Sequence, residues 1–132
     1  MNAIKDTPIL IVDDYKTMLR IIRNLLKQID FNNVDEAADG KLAIHRLRNR
    51  KYGLVISDWN MEPISGLQLL KEIRTSQPSF NDIPFLMVTP GVGIHYEDMV
   101  SIRQQYGPIN FIDKPFNAAT LKDKLIKVLG KF

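Results

Sequence analysis

Several polar residues of this chain stand at the ends of apolar runs. Asp13 and Asp14 follow ILIV (9–12), Asp58 follows LVIS (54–57), Thr89 follows FLMV (85–88), and Lys114 comes just after INFI (109–112). A carboxylate at the end of a buried segment is costly unless something pairs with it. Three carboxylates drawn together repel, and at least one holds a raised pKa unless a cation joins them. Oxygen donors without histidine favour Mg2+ over zinc. Mg2+ typically takes one or two carboxylates plus phosphate oxygens, which suits phosphoryl chemistry. An aspartate can itself be the nucleophile, giving an aspartyl phosphate. A lysine and a hydroxyl are the further groups that such a site needs to balance charge on the transferring phosphoryl group.

Whether these groups meet depends on the elements that carry them. The apolar runs are too short for helices and fit buried strands. VDEA (34–37) is a further candidate strand, between Asn32-Asn33 and Asp39-Gly40. Met18, Ile22, Leu25, Leu26 and Ile29 recur at helical spacing, and Leu42, Ala43 and Leu47 suggest a second amphipathic helix. Ser65-Gly66 opens a third, with Leu67, Leu70 and Ile73 on one face. Pro78 and Pro84 bracket a loop, and TPGVG follows the FLMV run. Tyr96, Met99, Val100 and Arg103 fit a fourth helix, and Pro108 precedes INFI. The last helix starts at Asn117, a suitable N-cap, shows Leu121, Leu125, Val128 and Leu129 on one face, and ends at Gly130.

Strands alternating with helices predict an α/β fold of parallel crossover units. Strands apolar along their whole length predict a sheet covered on both faces. Five units suggest a doubly wound sheet, most simply in the order 2-1-3-4-5. In that order strands 1 and 3 are neighbours, and the ligand crevice opens at their carboxyl ends. Asp13, Asp14 and Asp58 then share one pocket, with Thr89 and Lys114 approaching from the other side.

The totals narrow the function. A chain of 132 residues, 45% hydrophobic and 25% charged, predicts one soluble domain with a full core. The absence of cysteine excludes disulfides, thiolate zinc sites and cysteine nucleophiles. MNAIKDTP has no apolar signal core, and no run reaches membrane-span length, so the expected location is the cytoplasm. A net charge of +3 gives no reason to expect nucleic acid. The basic clusters at Lys16, Arg20, Arg23 and Lys27 and at RLRNRK (46–51) read as solvated helix faces. His45 reads as a helix surface residue and His95 as a loop residue, neither with a ligand partner one turn away.

Each polar group has an ordinary explanation when taken alone. Asp13 and Asp14 could cap a helix, Asp58 could cap a turn, Thr89 could simply end a strand and Lys114 could be a solvated charge. Their joint placement on successive strand ends is what those explanations leave out.

ILIVDD, VISDWNM, LMVT and DKPF together resemble the receiver domain of two-component response regulators, across nearly the whole chain. TMLRIIRNLLKQIDFNNVDEA, YGLVISDWNM and KPFNAATLKDKL are similar to its single-domain chemotaxis members. The resemblance implies one flavodoxin-like (βα)5 receiver domain over residues 1–132. It implies that Asp58 is the phosphoacceptor, that Asp14 ligates Mg2+ directly, and that Asp13 acts through water. By the same likeness Asn60 supplies a backbone carbonyl to the metal and Lys114 contacts the phosphoryl group. Thr89 is then the switch hydroxyl that moves toward that group. Phe111 is the switch aromatic, without the hydroxyl of the more usual tyrosine.

The implied partners are a CheA-like histidine kinase and an output protein such as a flagellar switch component, with a phosphatase as a further candidate. The implied protein is a monomer that binds neither nucleic acid nor membrane. It is no enzyme beyond its own phosphotransfer and autodephosphorylation. Phosphorylation would change the surface of the last strand and last two helices, and so the affinity for a separate output protein. A phosphate sink or a degenerate receiver with a non-flagellar partner remains open. So does a small phosphatase of the haloacid dehalogenase type. Such enzymes usually carry a second aspartate where this chain has Asn60.

The chain departs from the family pattern in three places. Pro90 follows the switch threonine, where relatives offer a free N–H to the phosphoryl group and proline has none. Glu62, with Pro63 next, stands where the family usually has proline. The stretch from Gly91 to Tyr106 is longer than in the chemotaxis members and matches them poorly.

Overall fold

The computed structural model describes residues 3–76, 78–91, 96–107 and 109–132. Strands β1 (Ile9–Val12), β3 (Leu54–Asp58) and β4 (Phe85–Thr89) are buried at every residue. With β2 (Val34–Ala37) and β5 (Ile109–Asp113) they form one parallel sheet in the order β2-β1-β3-β4-β5. The doubly wound order expected from the alternating pattern is the order found. β3, β4 and β5 each run one residue past the apolar segment, so Asp58, Thr89 and Asp113 are strand residues.

Side-chain alternation divides the sheet into two apolar layers. Ile9, Ile11, Leu54, Ile56, Leu86, Val88 and Ile112 pack with α1 (Lys16–Gln28) and α5 (Ala118–Leu129). Leu10, Val12, Val55, Phe85, Met87, Ile109 and Phe111 pack with α2 (Gly40–Asn49), α3 (Gly66–Arg74) and α4 (Tyr96–Tyr106). Among the described residues no helix is long and apolar enough to cross a membrane. The expectations for His95, Pro108 and the last two residues of TPGVG fall outside the described residues.

Helix starts follow ordinary capping chemistry. Asp39 accepts from the Leu42 N–H, Asn117 accepts from the Thr120 N–H, and Ser65 forms a reciprocal capping box with Gln68. α1 differs: its N-cap is Tyr15, with no side-chain cap, so Asp13 and Asp14 do not cap it. Two inward faces also differ from the spacing read in the sequence. In α3 the buried residues are Gly66, Leu69, Leu70 and Ile73, while Leu67 is only partly covered. In α4 Ile102 is the buried residue among those described, with Met99 and Tyr106 against the core, and Arg103 is exposed. Both shifts are about one position around the helix, within what a 100°-wide stripe leaves open.

Several basic residues expected on solvated faces instead tie the edge strand down. Arg23 reaches Glu36 at 2.7 Å, Arg46 donates to the Glu36 carbonyl at 2.7 Å, and Arg50 meets Asp35 at 2.6 Å. Tyr52 donates to the same Asp35 carboxylate at 2.5 Å, and this bond is the first cause of an Asp35 pKa below its usual value. β2 therefore keeps its polar centre because arginines from both helical layers hold it.

Gly66 couples the fold to the pocket. A Cβ there would lie 2.2 Å from the Asp58 carbonyl oxygen and 2.7 Å from Met87 Sδ. The first neighbour is backbone and cannot move aside alone. Gly66→Ala is expected to cost about 1–3 kcal/mol in urea unfolding, the range for overpacking a filled core.

Candidate functional site

The site lies at the carboxyl edge, where β1 and β3 are neighbours. Register sets the depth of each acid. Val12 pairs with Ser57, so Asp13 and Asp58 each come one residue later on adjacent strands. The Asp13 N–H donates to the Ala37 carbonyl at 3.1 Å, and the Trp59 N–H donates to the Val88 carbonyl at 2.8 Å. Backbone bonding thus continues past both acids and holds them at the edge.

Asp13 and Asp58 are both buried, and Asp14 is exposed. Each of the three offers one carboxylate oxygen, and these atoms lie within 4.8 Å of one another. Lys114 Nζ stands 3.0 Å from Asp58 Oδ1. The Tyr15 N–H donates to Asp13 Oδ1 at 3.0 Å. Asp13 Oδ2 is buried and has no hydrogen-bond partner, the only such side-chain atom among the described residues. A buried carboxylate oxygen without a donor is one that a cation would satisfy. The donor set is hard oxygen only, and it fits Mg2+.

Burial, first of all, pushes the Asp13 carboxyl up to about 6 from an ordinary value of 3.8. The Tyr15 N–H works against this, the Asp58 carboxylate adds to it, Lys114 opposes it and Asp14 adds a little. Two buried acids sharing one lysine cannot both be comfortable without a further positive charge.

The other expected residues are placed as follows. Asn60 lies in the exposed loop after β3, two residues past Asp58. Thr89 is fully buried at the end of β4, but its hydroxyl donates to Asp113 on β5 rather than reaching the acids. Phe111 is buried in the α4 layer, with the Arg103 guanidinium 5.4 Å from its ring centre. Glu62 is exposed, yet its backbone N–H donates to Asp14 Oδ2 at 3.1 Å. Pro90 follows Thr89 directly and offers no N–H at this edge.

Sequence reasoning missed Asp113 and Arg103. The signal for Asp113 was its neighbour Lys114: a polar residue just after INFI ends the strand beside Thr89 on β4. Arg103 carried no such signal, because its partner is an aromatic face on another element.

Ionised Asp13 destabilises the metal-free protein. Its folded pKa lies above the unfolded value, so the folded state holds a proton that the unfolded state has released. Metal-free stability is therefore highest at low pH on this account and falls as pH rises from about 4 to about 6. The full effect is on the order of 2–3 kcal/mol. In EDTA, Asp13→Asn is expected to flatten this slope and to be the more stable protein at pH 8, with little difference at pH 4. Urea unfolding at the two pH values measures it. Saturating Mg2+ should raise the wild-type midpoint at pH 8 more than that of the variant.

Comparison with known proteins agrees with this geometry. Residues 9–126 match the family described as the response regulator receiver domain. The chain is 42% identical over 133 residues to the chemotaxis protein CheY-3 of Vibrio cholerae, covering 99% of each chain. It is 38% identical over 123 residues to the chemotaxis protein CheY of Pseudomonas aeruginosa, covering 93% of this chain and 96% of that one. Among solved structures, Vibrio cholerae chemotaxis protein CheY4 superposes with a TM-score of 0.82 at 28% identity, covering 94% of this chain and 99% of the other.

Proposed function

The chain belongs to the response regulator receiver family, of the CheY-like kind, and on that premise we propose that it is a receiver phosphorylated on Asp58. The observation that carries this is the pairing of Asp58 with Lys114 inside a three-carboxylate cluster. A family of signalling proteins implies a histidine kinase upstream and a target downstream. We take the target to be a chemotaxis output protein such as a flagellar switch component, and the kinase to be CheA-like. Support comes from similarity to chemotaxis proteins over 93–99% of the chain.

The reaction asks little covalent chemistry of the protein. A carboxylate oxygen of Asp58 forms a bond to phosphorus while the donor's nitrogen–phosphorus bond breaks. The electron pair of that bond stays on the donor's imidazole nitrogen. Lys114 already stands at Asp58 Oδ1 and is placed to follow the charge onto a phosphoryl oxygen. Asp13, Asp14, Asp58 and the Asn60 carbonyl would hold Mg2+, which when bound offsets the phosphoryl charge. An acyl phosphate carries roughly −1.5 to −2 charges where the carboxylate carried one. Thr89 then turns toward the new anion, Phe111 repacks, and the α4, β5 and α5 surface shifts population between two packings.

Incubation with acetyl phosphate and Mg2+, read by intact mass, is expected to give one phosphoryl adduct, absent in Asp58→Asn and in EDTA. No adduct from acetyl phosphate or from a kinase would replace this reading with a receiver that only binds partners. Pro90 removes one backbone donor from the anion pocket, whose loss in enzymes costs about 100- to 1000-fold in rate. Lys114 remains here, so a smaller effect is expected. Pro90→Ala should speed phosphorylation by acetyl phosphate by about tenfold, measured as the rate of adduct growth. Equal rates would show that Pro90 is not a kinetic brake.

A further inference from the structure

One contact at the sheet edge has no role in phosphotransfer. Thr89 is fully buried, and its hydroxyl donates to Asp113 Oδ1. The two residues are direct partners in the parallel register of β4 and β5. Thr89 continues the side-chain parity of Phe85 and Met87, and Asp113 that of Ile109 and Phe111, so both belong to the α4 side of the sheet. Asp58 continues the parity of Leu54 and Ile56, and Lys114 that of Ile112, on the opposite side. The Lys114 N–H donates to the Thr89 carbonyl at 2.8 Å and keeps this register to its end. Gly91, at φ +81°, then brings the chain back over Asp113: a Cβ on it would lie 3.7 Å from the Asp113 Cβ.

A hydroxyl has one proton to donate. While Asp113 holds it, an anion on Asp58 cannot. A bond to a carboxylate is also stronger than one to a neutral acceptor. We propose that Asp113 is a positioning residue: it holds the Thr89 hydroxyl on the α4 side of the sheet, and the phosphoryl group must take the hydroxyl from it. This rests on the reading of Asp58 as phosphoacceptor and Thr89 as the hydroxyl that moves. Apparent affinity for a phosphoryl-like anion is then lowered by the fraction of molecules in which Thr89 is held away. Asp113 is exposed at the end of its strand, so its replacement leaves the core intact.

The test is titration of the full chain with beryllofluoride in Mg2+, a phosphoryl mimic, followed by calorimetry and by the fluorescence of Trp59, the one tryptophan of the chain. Asp113→Ala is expected to tighten binding by about tenfold, the scale of one charge-assisted hydrogen bond. Affinity for Mg2+ alone should stay within about twofold, because the metal does not use Thr89. Asp113→Asn keeps an acceptor and should retain most of the hold. In a Thr89→Ala background the Asp113 substitution should have no effect, giving a strongly non-additive cycle. Equal tightening with and without Thr89, or equal tightening by alanine and asparagine, would mean that Asp113 acts only as a repelling charge and overturns the proposal. So would unchanged affinity in Asp113→Ala. A wild-type protein with no Asp58-dependent binding would instead overturn the phosphoacceptor reading, and this inference with it.

Discussion

Two carboxylates buried side by side at a sheet edge are the constraint to which the rest of the structure answers. Asp13 and Asp58 sit on neighbouring strands at the same depth, and desolvation penalises the charge on each. Lys114 offsets one of them directly, at 3.0 Å, and reaches it across the intervening strand β4. Asp13 has a single backbone donor and one oxygen left without any. The fold could have removed this tension by replacing either acid with an apolar residue. It keeps both, and the stability lost there is recovered in the apolar layers beneath the sheet. A pocket that crowds buried acids in this way is one that a cation would stabilise.

That arrangement requires parallel strands in one particular order. Parallel pairing brings all five carboxyl ends to one edge, and winding outward in both directions from β1 and β3 opens the crevice between them. Gly66 shows how tightly this is built: α3 starts against the Asp58 carbonyl itself, with no room for a methyl group. Arginines from α1, α2 and the residue that ends α2 serve the same end farther out, since they allow a short polar strand to close the sheet beside β1. On the opposite flank Arg74 of α3 donates to the Tyr106 carbonyl at 2.6 Å and anchors the end of α4.

Most of the site was legible in the sequence because it depends on two robust signals, apolar strand length and the polar residue that follows each strand. Asp13, Asp14, Asp58 and Lys114 meet as strand order alone would have them meet. What was not legible depends on parity and on helix rotation. Thr89 ends its strand like the others, yet its side chain belongs to the other face, where Asp113 receives it. A one-position rotation in α3 and α4 put Gly66 in place of Leu67 and Ile102 in place of Arg103 on the buried face. The arginines of α1 and α2 looked like solvated charge because their partners, Asp35 and Glu36, are acidic residues within a strand. Apolar periodicity does not report such pairs.

The departures from the family pattern act on opposite members of the same pocket. Pro90 withholds a backbone donor from the side where an anion would sit. Glu62, by not being proline, supplies one: its N–H reaches Asp14 Oδ2 at 3.1 Å. The residue that interrupts the usual motif thus touches the site through its backbone, while its own carboxylate stays in solvent. Asp14 is the exposed member of the acidic cluster and the one otherwise freest to rotate away. A donor on it orients its second oxygen. The chain therefore steadies the cation side of the pocket and loosens the anion side. On the proposed reading of Asp58 as phosphoacceptor, the hold of Asp113 on the Thr89 hydroxyl sets the balance toward the unphosphorylated state, and the phosphoryl group supplies more of the switching than the preformed site does.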